Sequence, residues 1–159
     1  PFQGLDKVTL SNQYENKNLI RYELFASEDE LKTLDNINFK QISFNEKTTL
    51  DIHMKYITFN ESMIKTNPLE LGFKNIISFD KGCYVGQEVI ARLYNYKKVS
   101  RTIVPFKTKS ELKVNSKIII DSKNIGNVLS IQKNSDIFLG LGLIKKRFTN
   151  LISEEILNI

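Results

Sequence analysis

The chain is short of the residues that most often carry chemistry. Its 159 residues hold one cysteine, Cys83, one histidine, His53, and no tryptophan. A single thiol cannot close an internal disulfide, which suits a reducing compartment. One cysteine with one histidine cannot build a Cys/His zinc site, and one thiolate cannot alone ligate an iron–sulfur cluster that takes four, so no metal ligands are assigned. His53 is flanked by apolar residues with no acidic or cysteine partner at ligand spacing, and it reads as structural rather than catalytic. No apolar run approaches the ~18 to 20 residues that span a bilayer, and no charged-then-apolar leader opens the chain. The expected address is therefore cytoplasmic, with no membrane partner. The first residue is Pro1 rather than Met, as in a fragment or a processed product.

Arginine is also scarce, at 4 residues against 19 lysines. The net charge of +5 is unevenly spread: residues 1–96 carry 11 Lys/Arg against 13 Asp/Glu, and residues 97–159 carry 12 against 5. A basic half attracts anionic partners. Surfaces that clamp phosphate, however, use clustered arginine interleaved with aromatics, and these lysines are scattered. Richness in Lys, Ile and Asn is also what a proteome-wide bias produces. The pattern speaks against direct nucleic-acid binding. The length suits one domain or two small ones, enough to bury a real core.

Along the chain, residues 1–18 are polar, with Val8 and Leu10 the only hint of a strand. Leu19 to Phe25 reads as a strand, and Ser27 with Glu30 forms a capping box opening a helix to about Leu34. Phe39 to Phe44 alternates and predicts a second strand. Thr48 to Phe59 fits either period, with a lean to helix. Asn67-Pro68-Leu69-Glu70 is a helix-start signature, and Gly72 ends that turn. After Arg92 the texture changes: Val99–Phe106, Leu112–Ile120, Ile125–Ile131 and Ile137–Ile144 are short β-prone segments, and their even spacing suggests a small antiparallel barrel or sandwich. Residues 148–159 fit a final short strand or helix.

The densest stretch is Asp80-Lys81-Gly82-Cys83-Tyr84-Val85-Gly86-Gln87-Glu88, followed by Val89-Ile90-Ala91-Arg92. Gly82 and Gly86 give the backbone two places where positive φ or close approach is easy, which predicts a shaped loop. From Gln87 the residues can be helical, and Glu88 stands four before Arg92, the favourable order for an ion pair. A loop thus feeds a short helix. The partial positive charge of a helix start, with Lys81 nearby, would favour the thiolate of Cys83 if the thiol is exposed. The competing reading of Cys83 is a small buried hydrophobe.

Lys81 to Glu88 resembles the signature of the YgfZ family of folate-binding proteins, relatives of the glycine-cleavage T protein, an aminomethyltransferase. Asn67 to Leu71 is similar to that family's Pro-x-Glu segment, Ile77-Ser78-Phe79 to its run into the motif, and Val89 to Arg92 to its exit. Arg101, Ile125 to Ser130 and Leu141 to Lys146 resemble its C-terminal barrel. The likeness is clear from about residue 67 to 147. It departs at residues 51–62, which lack the family's arginine, glycine and proline, and around Lys97, where the family usually has a glycine.

The resemblance implies an α+β fold: residues 1–96 as the remainder of an aminomethyltransferase-like folate-binding domain carrying the motif, 97–147 as a small antiparallel β-barrel, and 148–159 as a tail. It implies tetrahydrofolate as ligand, and iron–sulfur cluster proteins or their assembly machinery as partners. The implied role is an accessory factor in cluster assembly or maintenance, with indirect effects on tRNA modification. Cys83 would be the functional thiol, for thiol chemistry or transient contact with a cluster or its donor. Lys81, Tyr84, Gln87, Glu88 and Arg92 would shape the ligand surface, and Gly82 and Gly86 would serve its backbone. The alternative is an enzyme, a folate-dependent aminomethyltransferase, which needs a carboxylate beside the folate nitrogen. Asp80 and Glu88 are the carboxylates near the motif. A third reading is a small α+β interaction module with a basic barrel that docks an acidic protein or RNA.

Overall fold

In the computed structural model, residues 9–16, 19–25, 27–32, 40–57 and 66–152 are described. The chain divides into two compact units, Pro1–Lys47 and Thr48–Ile159.

In the first unit, β1 (Thr9–Asn16) pairs antiparallel with β2 (Leu19–Phe25), from Thr9 opposite Phe25 to Asn16 opposite Leu19. The apolar run 19–25 announced β2. Its partner is too polar to show alternation, so β1 was only hinted at. The helix α1 (Glu28–Lys32) follows Ser27, and Lys32 Nζ donates to Asp29 Oδ1 at 2.6 Å. Its expected end at Leu34 lies outside the described residues. The strand expected over Phe39–Phe44 is not formed: residues 40–43 have no regular structure, and a helix, α2 (Phe44–His53), begins at Phe44. The cause is a capping box hidden by the apparent alternation. Ser43 Oγ accepts from the Glu46 N–H at 3.2 Å, and Glu46 Oε2 accepts from the Ser43 N–H at 2.8 Å. The Ser43 N–H, and the Ser43 hydroxyl donating to the same oxygen, hold the Glu46 carboxyl below its usual value.

The second unit is built on a four-stranded antiparallel sheet of β3 (Arg101–Thr108), β4 (Lys117–Ile120), β5 (Lys123–Asn134) and β6 (Ile137–Lys145), in the order β3-β6-β5-β4. Asp121 and Ser122 both take positive φ in the two-residue link between β4 and β5, the geometry that matches strand twist in a tight hairpin. Along β6, Leu139, Leu141 and Leu143 point to one face and Ile144 to the other. On β5 the successive residues Val128 and Leu129 point to opposite faces, and a bulge between Val128 and Ser130 brings Ile131 back to the face of Val128. Both faces are apolar. One buries Ile52, Ile57 and Leu71 against Ile103, Leu129, Leu139, Leu141 and Leu143. The other gathers Phe106, Ile118, Ile125, Val128, Ile144 and Ile152, with Phe148 from a 3-10 helix, Lys146–Leu151, packed against them. Residues 153–159 lie outside the described set.

The mixed α+β class is as expected, but the sheet is open and not a barrel. Closure would require β3 to pair with β4, and β4 has only four residues. Pro105 on β3 has no N–H to give such a ladder. Four strands are also fewer than the five of a small partly open barrel. The sequence spacing identified strands correctly, and spacing alone carries no information on whether the last edge meets the first.

Candidate functional site

The segment leading into the motif is fixed first. Asn67 Oδ1 accepts from the Leu69 N–H at 2.8 Å, and the Glu70 N–H donates to the Asn67 carbonyl at 2.9 Å. This is a turn rather than a continuing helix: Gly72 takes φ 79°, and a short 3-10 helix, Phe73–Ile76, follows. Glu70 is buried at 7% exposure and needs a partner. It finds Arg101 at the start of β3, whose Nε donates to Oε1 at 2.9 Å and whose Nη2 donates to Oε2 at 2.6 Å; Ser100 Oγ donates to Oε1 at 3.3 Å. Burial pushes the carboxyl up, but the hydrogen bonds and charge of Arg101, with Ser100 and the Asn67 N–H, hold it below its ordinary value. The fork ties the approach of the motif to the sheet. Sequence reasoning singled out Glu70 and Arg101 separately and missed their union across 31 residues.

The motif loop is closed by rings and pinned by an amide. Phe79 stacks on Tyr94, the last residue but one of the helix α3 (Gln87–Asn95), with centroids 4.5 Å apart, and Lys74 Nζ lies 5.0 Å from the Tyr94 ring. Within the loop, Gln87 Oε1 accepts from the Tyr84 N–H at 3.2 Å, and Gln87 Nε2 donates to the Lys81 carbonyl at 3.5 Å. Lys81 Nζ sits 4.7 Å from the Tyr84 ring centroid, within cation–π range. The Tyr84 hydroxyl is buried and has no hydrogen-bond partner among the described residues. Gly86 caps α3 at φ 85°, where any other residue would be strained, while Gly82 does not take positive φ. A β-carbon at either glycine would meet nothing within 4 Å. Conformation, not space, therefore sets the requirement at Gly86.

The loop presents Cys83 to solvent. Val85 is fully exposed beside it, and Asp80, Lys81, Glu88 and Arg92 are exposed as well. The structure thus joins Lys81, Tyr84 and Gln87 into one hydrogen-bonded and cation–π unit. It does not join Glu88 to Arg92: among the described residues no ion pair links them. Gln87 faces the loop's own backbone and is not available to a ligand in this arrangement, a role that its place in a row of candidate ligand residues concealed. Among the described residues no group of three or more His, Cys, Asp or Glu side chains comes together to hold a metal ion. No described helix is long and apolar enough to cross a membrane.

Past α3, Lys97 occupies the left-handed region at φ 52°. Its N–H donates to the Tyr94 carbonyl at 3.1 Å and the Lys98 N–H donates to the Leu93 carbonyl at 3.0 Å, the paired bonds of a Schellman stop. This is the place where the resemblance leads one to expect glycine.

No family model matches the chain. It is similar to "Putative transferase At1g60990, chloroplastic" of Arabidopsis thaliana, with 38% identity over 87 residues, 54% of this chain and 20% of the relative. It is also similar to the mitochondrial "Iron-sulfur cluster assembly factor IBA57" of Saccharomyces cerevisiae, with 34% identity over 91 residues, 50% of this chain and 18% of that protein. The chain spans about a fifth of the length of the curated relatives it matches.

Proposed function

We propose that this chain carries the motif-bearing part of an aminomethyltransferase-like protein that acts in iron–sulfur cluster assembly or maintenance, with tetrahydrofolate as its ligand and Cys83 as its functional thiol. The observation that carries the reading is the solvent-exposed Cys83 on a loop whose shape is fixed from within by Gln87. A thiol kept for packing would be buried. Both relatives belong to the aminomethyltransferase-like superfamily, and the name of the yeast relative supports the cluster-assembly role.

The motif offers part of what a reduced folate needs. Exposed Glu88, Arg92 and Lys81 are of the right chemistry to meet pterin amino groups and glutamyl carboxylates, whereas the Tyr84 hydroxyl is buried beneath the same loop. Gln87 does not fit, because its amide holds the loop. These residues would form one wall of a folate site, and the reduced pterin would supply a nitrogen able to carry one-carbon units. The cluster, or its donor, is cargo: one thiolate from Cys83 completes a ligand set only together with thiolates of another protein. Effects on tRNA modification would then be indirect, through enzymes that need clusters.

The name of the Arabidopsis relative supports a second reading, a transferase, and the resemblance at Lys81 to Glu88 makes it an aminomethyltransferase. Asp80 and Glu88 are its candidate carboxylates, and both are exposed. The test is complementation in cells lacking the full-length protein, with iron–sulfur enzyme activity as readout. Wild type restores it and Cys83→Ala does not. Full rescue by Cys83→Ala, with loss in Glu88→Gln and tetrahydrofolate-dependent release of ammonia from an aminomethyl donor, would establish the transferase reading instead.

A further inference from the structure

The open side of the sheet is itself a shaped feature. β3 is hydrogen-bonded only to β6 and β4 only to β5, so among the described residues one edge of each is unpaired. Between these edges lies a groove of about 250 Å³, lined by Phe106, Lys107 and Thr108 of β3, Ile118 to Ile120 of β4, and Leu151 and Ile152 below. Its apolar lining is accessible: Ile119 is 61% exposed and Leu151 58%. Unpaired edges of this kind are ready templates for another extended chain, and proteins that do not use them cover or blunt them. Pro105 blunts β3 on one side of the groove, and the stretch from Phe106 to Thr108 beyond it carries no proline.

Charge selects the occupant. From Phe106 to Ile120 the chain carries Lys107, Lys109, Lys113 and Lys117 against the single acid Glu111. Lys107 and Lys117 stand on the two strands that flank the groove, and Lys109 and Lys113 lie in the loop joining them. An extended strand that alternates apolar and acidic side chains meets both demands at once. Its apolar side chains enter the floor of isoleucine and leucine, its carboxylates face the lysines, and its backbone pairs with the free edges.

We propose that the β3–β4 groove binds an extended acidic segment of a partner protein by strand addition. This is independent of the function assigned to the motif. The probe is a fluorescein-labelled nine-residue peptide alternating glutamate with valine, titrated by fluorescence anisotropy against the full chain at physiological salt. Saturable binding is expected. It should weaken at least tenfold when prolines replace the two central valines of the peptide, because proline removes ladder donors and every glutamate is kept. Ile119→Asp and the double variant Lys107→Glu/Lys117→Glu should each weaken it as much, with an unchanged thermal midpoint showing that the fold persists. Equal binding of the two peptides would overturn the proposal and reduce the groove to diffuse lysine attraction. Displacement of the peptide by an oligouridylate at lower concentration than by unlabelled peptide would assign the face to phosphate. A dimer in light scattering that Ile119→Asp dissolves would assign it to a second copy of this chain.

Discussion

Gln87 and Glu70 show how single side chains set the site. The Gln87 amide spans from the Lys81 carbonyl to the Tyr84 N–H, so it fixes the loop on which Cys83 stands. Replacing it with alanine should leave the sheet intact and free the loop. In hydrogen exchange, the Tyr84 amide is expected to lose protection by about tenfold, matching a loss of ~1 to 1.5 kcal/mol for one hydrogen-bonded group. Unchanged exchange would remove Gln87 from its role as clamp. Glu70 has a pH signature. Its carboxyl is depressed in the folded protein, so its stabilisation is fully present above the unfolded value of ~4.3 and is lost as pH falls through the lower folded value. Glu70→Gln should destabilise the Thr48–Ile159 unit at pH 7 by about 2 kcal/mol, less than for a fully buried pair because Arg101 is partly exposed. The variant should approach wild type in acid unfolding below about pH 4. A constant difference at all pH values would mean that the carboxylate charge contributes nothing. What was legible here was residue type: the capping pattern at Asn67–Glu70, the chemistry of the motif loop and the odd residue at Lys97 can be read from the chain, whereas the exposure of Cys83 and the fact that Asn67–Glu70 closes a turn and not a helix cannot. The pairing of Glu70 with Arg101 is not written locally, because it depends on which strand end the turn packs against.

At the level of elements, the strands were readable because β-branched runs and polar breaks alternate after Arg92, while the helices were readable where caps and period agreed. The stretch 39–44 misled because it alternates like a strand although Ser43 and Glu46 close a capping box, while the lean to helix from Thr48 agrees with α2 as far as His53. Local capping outweighed a short alternation, as expected where the apolar run has no sheet to join. The helix α3 ends on a left-handed lysine, and such a conformation is unfavourable for a residue with a β-carbon by ~1 kcal/mol. Lys97→Gly should raise the thermal midpoint by a few degrees, a shift measurable by calorimetry. A drop would show that the lysine side chain compensates for its backbone. Within the sheet, the Phe106 ring lies over Gly140, where an added β-carbon would sit 2.6 Å from the ring. Gly140→Ala should therefore destabilise the sheet by ~1 to 3 kcal/mol in urea unfolding, because a ring held between strands cannot easily give way. A neutral substitution would mean that Phe106 moves freely.

For the molecule as a whole, composition excluded a self-contained zinc site, the spacing marked out the strands after Arg92, and the α+β class came from the resemblance carried by the motif. Closure of the sheet was not legible, since it rests on the length of β4 and on Pro105 rather than on any pattern of apolar residues. The proposed function stands or falls with Cys83, held on the loop from Asp80 to Gly86 for use at a folate-linked site. The most direct measurement is the alkylation rate of Cys83 by iodoacetamide in the folded protein, from pH 6 to 9, with and without tetrahydrofolate. Rapid modification without denaturant and at least tenfold protection by tetrahydrofolate are expected. A thiol that reacts only after denaturation, or that reacts equally with and without the folate in the full-length protein, would contradict the proposed function.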